Sequence, residues 1–191
     1  MAGRLFVVSG PAGAGKGTIL ERVRSSRPDL ALSVSATTRK PRPGEVEGVS
    51  YYFLDEGEFR SRIEAGEFLE WADVHGNLYG TLKSEVQAKL DAGSSLVLEI
   101  DPQGAFNVRA MMPECVMVFI APPSLETLRE RLVGRGTETP ATLERRMADA
   151  EGEMRCAERY DEVVVNDNLE TAVAQTLALM ERYEAASPAG E

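Results

Sequence analysis

The segment from Gly10 to Thr18 has the residue types and spacing of a site for phosphate chemistry. It reads Gly-Pro-Ala-Gly-Ala-Gly-Lys-Gly-Thr, a G-x-x-x-x-G-K pattern between a short apolar run and a helical stretch. Glycines let such a backbone curl so that several N–H groups point inward, and the helix N-terminus adds partial positive charge. The pattern predicts a loop that binds the phosphates of a nucleotide, with Lys16 reaching the β- and γ-phosphates. Its predicted binding residues are Gly10, Pro11, Ala12, Gly13, Ala14, Gly15, Lys16, Gly17 and Thr18.

One position of this loop departs from the general pattern. Gly17 stands where a Ser or Thr usually ligates Mg²⁺. Thr18 carries a hydroxyl one residue later, about 100° around the helix. We therefore predict no metal-ligating side chain here and a Mg²⁺ ion held mainly by nucleotide oxygens and water.

A second cluster of charge lies between residues 34 and 45. Arg39, Lys40 and Arg42 place three cations within four residues of a chain whose net charge is −10. Pro41 and Pro43 stiffen this stretch, so that Arg39 and Arg42 could hold a phosphate in bidentate fashion. The alternative is a solvated basic loop.

Two carboxylates occupy positions that suit ligand binding. Glu70 precedes Trp71, and Asp101 ends the apolar run from Leu96 to Ile100. The carboxyl end of a parallel strand is where open α/β sheets bind ligands. The alternatives are a charge at a strand edge for Glu70 and a helix cap for Asp101.

The elements that must position these residues alternate between strand and helix. Predicted strands are Leu5–Val8, Leu30–Ser35, Leu96–Ile100, Val116–Ile120 and Val163–Val165. Predicted helices are Thr18–Ser26, Pro102–Met111, Leu125–Val133, 141–159 and Leu169–Tyr183. The alternation predicts an α/β fold with a largely parallel sheet.

The stretch from residue 36 to residue 90 interrupts this alternation. Its predicted strands are short (Tyr51–Phe53, Phe68–Trp71 and Val74–Tyr79), and the last two lie around a predicted turn at Gly76-Asn77. We interpret 36–90 as a lobe inserted into a core formed by 1–35 and 91–185. A small lid is predicted at about 135–150 within the core, and a disordered tail at 186–191.

Composition narrows the function classes. The 191 residues are 43% hydrophobic and 27% charged, which is typical of a globular domain. The apolar runs are too short for a membrane span or a signal peptide, so we expect a cytoplasmic protein. The negative net charge argues against nucleic acid and anionic membranes as partners. Two cysteines and one histidine supply neither a disulfide framework nor four zinc ligands.

Taken together, the motifs resemble those of guanylate kinase. The matching segments run in order from about residue 4 to about residue 170: G-P-x-G-x-G-K-G-T, S-x-T-T-R-x-P-R-x-G-E, G-x-x-Y-x-F, E-F-x-E-W, G-x-x-Y-G-T, I-D-x-Q-G, A-P-P-S and R-G-T-E-T. The resemblance implies transfer of the γ-phosphoryl group of ATP to GMP, and to dGMP, in the presence of Mg²⁺. It also implies a three-layer P-loop core with a GMP-binding lobe and a lid.

The resemblance also implies individual roles. The GMP-binding residues would be Ser35, Arg39, Arg42, Tyr51, Glu70, Tyr79, Thr81 and Asp101. Of these, Glu70, Thr81 and Asp101 would meet guanine. Asn166 would lie near the base of ATP. The catalytic cations would be Lys16, Arg39, Arg131, Arg135 and Arg146.

Three alternatives stay open from the sequence. A guanylate-kinase-like interaction module would have lost catalysis, yet here the loop glycines, Lys16 and the lid arginines are present. An adenylate kinase would share G-K-G-T, but the chain has no D-G-[FY]-P-R segment. A thymidylate kinase would carry Asp-Arg after a strand, and no Asp-Arg pair occurs. The oligomeric state is not predicted.

Overall fold

The computed structural model of the chain describes residues 3–74, 76–134 and 139–186. In chain order, the strands are β1 (Leu5–Ser9), β2 (Ala31–Leu32), β3 (Ala36–Thr37), β4 (Tyr52–Phe53), β5 (Phe68–Val74), β6 (Asn77–Leu82), β7 (Leu96–Glu99), β8 (Val116–Ala121) and β9 (Glu162–Val165). The helices are α1 (Lys16–Ser26), α2 (Glu56–Glu64), α3 (Lys83–Asp91), α4 (Pro102–Met111), α5 (Leu125–Gly134), α6 (Pro140–Met154) and α7 (Leu169–Ala185).

The larger sheet has five parallel strands in the order β2-β7-β1-β8-β9. Every residue of β1 and β8 is buried, as expected for strands covered on both faces. The predicted α/β fold with a largely parallel sheet is confirmed.

Side chains alternate between the two faces of the sheet and form a separate hydrophobic cluster on each. Phe6 and Val8 pack with residues of α1 and α7 on one face. Leu5 and Val7 pack on the other with residues of α3 and α4. The core therefore has three layers.

Helices α1 and α7 lie against each other on the first of these faces. Val23 of α1 and Met180 of α7, both fully buried, belong to the same cluster. Just beyond the end of α1, Arg27 pairs with Glu184, with 3.1 Å between Nη1 and Oε2. The helix that carries Lys16 is thus supported by the last helix of the chain.

The smaller sheet has the order β4-β3-β6-β5 and comes from residues between 36 and 82. It has its own cluster, in which the rings of Phe59 and Phe68 stack with centroids 4.4 Å apart. Asp55 caps α2 by accepting a hydrogen bond from the backbone N–H of Glu58. Helix α3 packs with the core, because Val86 and Leu90 belong to the cluster of Val7. The division of the chain into core, lobe and lid stays a prediction.

Three predicted element boundaries are wrong. The strand at 30–35 is limited to Ala31–Leu32, because the chain leaves the larger sheet there and joins the smaller one at Ala36. The predicted turn at Gly76 is present, with φ 79°, but the first strand continues to Val74 and the second begins at Asn77, so the predicted bounds of 68–71 and 74–79 are wrong. The helix predicted at 141–159 ends at Met154, and a 3₁₀ turn over Ala157–Arg159 leads into β9.

No helix within the described ranges is both long and apolar enough to span a bilayer.

Candidate active site

The phosphate loop joins β1 to α1 and is fitted tightly between its neighbours. Gly10, Gly13 and Gly15 have φ values of 142°, 92° and 95°, which favour glycine. A Cβ at position 10 would lie 2.1 Å from the carbonyl oxygen of Ile120, and one at position 15 would lie 2.3 Å from Nδ2 of Asn166. The glycines are therefore required by both backbone conformation and space.

Lys16 is the first residue of α1 and folds back over the loop. Its Nζ donates to the carbonyl oxygens of Gly10 (2.5 Å) and Pro11 (3.2 Å). The first turn of α1 contains no acidic residue, so its N-terminal partial charge is left for an anion. Thr18, two residues after Lys16, is exposed.

Asn166 supports the loop from the protein interior. It is 6% exposed, and its Nδ2 donates to the carbonyl oxygen of Ala14 at 2.8 Å. The backbone carbonyl oxygen of Asn166 accepts a hydrogen bond from Nη2 of Arg131, also at 2.8 Å. Asn166 thus contacts the loop directly, and Arg131 contacts Asn166. The predicted roles of both residues toward the nucleotide stay predictions.

The predicted phosphate-binding residues of the smaller sheet lie close together. The guanidinium of Arg39 lies 5.4 Å from the ring centroid of Tyr51, whose ring is 6.0 Å from that of Tyr79 in an edge-on arrangement. Arg39 also pairs with Glu45, which lowers the pKa of that carboxyl group. Arg42 is exposed on the same loop.

Ser35 lies at the entry to this sheet, where its carbonyl oxygen accepts from the backbone N–H of Tyr52 at 2.9 Å.

Glu70 and Thr81 face each other on β5 and β6, in register just after a bulge. The Thr81 hydroxyl, 2% exposed as a residue, donates to Oε1 of Glu70 at 2.7 Å. Burial raises the pKa of Glu70; the Thr81 hydrogen bond opposes this, and the charge of Asp101 adds to it. Glu70 is therefore a half-buried carboxylate held in a fixed orientation.

The sequence left two roles open for Asp101, ligand binding and capping of a helix. It is the N-cap of α4, where Oδ1 accepts from the backbone N–H of Gly104 at 2.7 Å. Its charge also contributes to the raised pKa of Glu70 on β5. That Glu70 and Asp101 both bind guanine stays a prediction.

Helix α6 carries a polar face beside the phosphate loop. Arg146, Asp149 and Glu153 line a cavity of about 220 Å³ together with Ala12 of the loop. Burial raises the pKa of Glu153, whereas the charge of Lys16 lowers it. Arg135, the remaining predicted lid arginine, lies outside the described residues.

Glu99 is a carboxylate that our sequence reasoning missed. It ends β7, and its Oε2 lies 3.8 Å from the position that a Cβ on Gly17 would take. The rule that singled out Asp101, a carboxylate at the carboxyl end of a parallel strand, includes Glu99 because β7 ends one residue earlier than predicted. Glu45 and Glu153 were also not assigned, although Glu45 follows Arg42 by only three residues.

The donor set around Gly17 suits a hydrated cation better than a protein-chelated one. Among residues 3–74, 76–134 and 139–186, no group of three or more His, Cys, Asp and Glu side chains could hold a metal ion. Glu99 offers one carboxylate beside the loop. This fits Mg²⁺, which keeps several waters and is commonly bound through one or two carboxylates and substrate phosphates.

Comparison with known proteins gives one consistent result. The family model for guanylate kinase matches residues 2–183. The chain is 49% identical over 180 residues to the guanylate kinase of Dechloromonas aromatica, covering 94% of this chain and 89% of the relative. It is 51% identical over 187 residues to that of Gloeobacter violaceus, covering 98% and 91%. The crystal structure of guanylate kinase from Anaplasma phagocytophilum matches with a TM-score of 0.71 at 34% identity, covering 97% of this chain and 88% of that one. With this fold, phosphate loop and extent of similarity, the chain belongs to the guanylate kinase family.

Proposed function

We propose that the chain transfers the γ-phosphoryl group of ATP to GMP, and to dGMP, giving ADP and the guanosine diphosphate. The observation that carries this proposal is the carboxylate of Glu70, which Thr81 orients by a hydrogen bond at 2.7 Å. The same chain also carries a phosphate loop with Lys16.

The acceptor groups of this site match guanine. Guanine presents N1–H and the 2-amino group side by side, and one carboxylate accepts from both. Adenine has neither donor there, so Glu70 would be left unpaired, a penalty of roughly 1–3 kcal/mol. Base selection is therefore assigned to Glu70, with Thr81 and Asp101 completing the site.

The reaction needs positioning and charge neutralisation rather than a general base. The GMP phosphate is itself the nucleophile, and phosphoryl transfer leaves little covalent chemistry for the protein. Arg39, Arg42, Tyr51 and Tyr79 hold that phosphate in the proposal, with Ser35 nearby. Lys16 holds the β- and γ-phosphates of ATP.

The lid arginines supply the remaining positive charge. Arg131, Arg135 and Arg146 neutralise the phosphoryl group as it moves, and closure excludes water that would otherwise accept it. Arg131 has to exchange its bond to the Asn166 carbonyl for one to the nucleotide. Asn166, which supports the phosphate loop, would lie near the base of ATP.

Mg²⁺ bound to the ATP phosphates would neutralise their charge and that of the transferred group. The nucleotide and water would hold most of its coordination positions, with Glu99 as the neighbouring carboxylate of the chain. We expect the enzyme to act in the cytoplasm on free nucleotides. Its net charge of −10 supports small-molecule rather than nucleic-acid partners.

A coupled assay of ADP release tests the proposal. ATP is supplied with GMP, dGMP, AMP, UMP or dTMP, and initial rates are compared. We expect GMP to be the best acceptor, dGMP to be used as well, and the others to be poor. Preference for AMP or dTMP would overturn the substrate assignment. Binding of GMP without ADP release would instead indicate a non-catalytic module.

A further inference from the structure

One carboxylate contacts both arginines of the basic loop. Oε1 and Oε2 of Glu45 accept from Nη2 of Arg39 at 2.7 and 3.0 Å. Oε2 also accepts from the backbone N–H of Arg42 at 2.7 Å. The side chains of Arg39 and Glu45 are only 14% and 21% exposed, so this is a defined contact rather than a solvated surface pair.

The local sequence explains why Glu45 can reach back in this way. The backbone N–H of Glu45 bonds to the carbonyl of Arg42 at 3.0 Å, which closes a four-residue turn. Pro43 takes the second position of the turn, and Gly44, with φ 89°, takes the third. This arrangement is typical of a type II turn. The turn reverses the chain and brings the carboxylate over the amide of Arg42.

Arg39 is held from three sides. Glu45 takes Nη2, the carbonyl oxygen of Lys40 accepts from Nη1 at 2.7 Å, and the Tyr51 ring lies under the guanidinium. A guanidinium has five N–H donors, so donors remain for a phosphate. An arginine fixed in this manner has already lost the side-chain freedom that binding would otherwise remove.

We propose that Glu45 is a positioning residue for the GMP phosphate, because it holds Arg39 and the Arg42 backbone in the arrangement that receives this group. The inference rests on the proposed function for the assignment of GMP to this site. Glu45 does not touch the nucleotide in this view; it acts through the arginines.

The opposing effect is repulsion between the Glu45 carboxylate and a bound phosphate. Arg39, Lys40 and Arg42 carry three positive charges on the same loop, so the loop stays net positive with Glu45 ionised. The direct partners of Glu45 are donors of Arg39 and Arg42, which screen it from an incoming anion. We therefore expect the gain from fixed arginines to exceed the repulsion.

The test compares two ligands that differ only in the phosphate. Glu45→Gln and Glu45→Ala are measured by calorimetry with GMP and with guanosine, and the KM for ATP is measured in parallel. Glu47→Gln is the matched control, because Glu47 lies on the same loop but accepts from the backbone N–H of Phe53, at 2.9 Å, and Gln keeps an acceptor oxygen there. We expect GMP to bind about tenfold more weakly to both Glu45 variants, the effect of freeing one to two ordered side chains. Guanosine binding, the KM for ATP and the control should not change.

Two results would overturn the proposal. Unchanged or tighter GMP binding would show that Glu45 is neutral or competes with the phosphate. Equal weakening of GMP and guanosine, with a lower melting temperature, would show that Glu45 only maintains the fold of the loop. A wild-type chain that binds neither ligand would contradict the proposed function itself, which separates that failure from the failure of this inference.

Discussion

The hydroxyl of Thr81 donates to Oε1 of Glu70 at 2.7 Å across the β5–β6 pair. This bond uses the only hydrogen of the hydroxyl, so the Thr81 oxygen can meet a bound base only as an acceptor. Each carboxylate oxygen can accept more than one hydrogen bond, so Glu70 retains acceptor capacity for two donors. Both residues of this bond lie on paired strands and not on a loop.

Glu70→Gln should narrow the discrimination between GMP and AMP. The amide keeps the size of the side chain but replaces one acceptor with an NH₂ donor, which would face a guanine donor. We expect kcat/KM for GMP to fall by roughly 10²-fold or more, from about 3 kcal/mol of lost and repulsive contacts. AMP should lose less, because its N1 accepts a hydrogen bond. The measurement is kcat/KM for both nucleotides, and an unchanged ratio would show that Glu70 does not select the base.

The same substitution should stabilise the nucleotide-free protein at neutral and higher pH. Burial raises the pKa of Glu70 in the folded chain. The folded state therefore binds this proton more tightly than the unfolded state, and the resulting stability is lost as pH rises through the raised pKa. Gln does not ionise and avoids that loss. We expect the melting temperature of Glu70→Gln to exceed that of wild type at pH 8, and the difference to shrink toward pH 4. A melting-temperature difference that grows on acidification would contradict the upward direction of the Glu70 pKa shift.

Asp101→Asn and Asp101→Ala should separate the two roles of Asp101. Asn caps a helix as well as Asp does, whereas Ala removes the cap and costs about 0.5–2 kcal/mol. We therefore expect chemical denaturation to detect a loss of stability in the Ala variant only. Both variants should have a higher KM for GMP. An Asn variant with wild-type KM would leave Asp101 with its capping role alone.

Asn166→Ala should weaken ATP binding as well as the fold. It leaves the buried carbonyl of Ala14 without its side-chain donor, at a cost of about 1–3 kcal/mol. Because that carbonyl belongs to the phosphate loop, the KM for ATP should rise. Asn168→Ala is the control: Asn168 caps α7 through the backbone N–H of Thr171, so it should lose stability with no change in ATP kinetics. Equal ATP kinetics in both variants would show that Asn166 has no influence on the loop.

The parts of the site that sequence could predict are those built from neighbouring residues. The phosphate loop and the start of α1 lie in one segment, so spacing alone identified them. The Glu70–Thr81 bond depends on the register of two strands joined through a turn at Gly76. The sequence predicted that turn, but the pairing of Glu70 with Thr81 also depends on a bulge between Phe68 and Glu70, which residue spacing does not reveal.

Other features were hidden by tertiary contacts. The segment after Leu32 looks like a continuing strand, but the chain changes sheets there, and local propensity does not encode which sheet a residue joins. The bond from Asn166 to Ala14 joins residues 152 positions apart. Glu99 was missed because the predicted strand continued to Ile100, whereas β7 ends at Glu99.

The packing of α1 against α7 has a consequence for how the protein is made. Arg27 and Glu184 are 157 residues apart in the chain, and the ribosome adds about 5–20 residues per second. The segment that carries Lys16 therefore waits roughly 8–30 s for the helix that supports it. During that interval Ile19 and Val23 of α1 lack the contacts that α7 supplies in the folded protein. The contacts between α1 and α7 can therefore form only late in synthesis, once the last helix has been made.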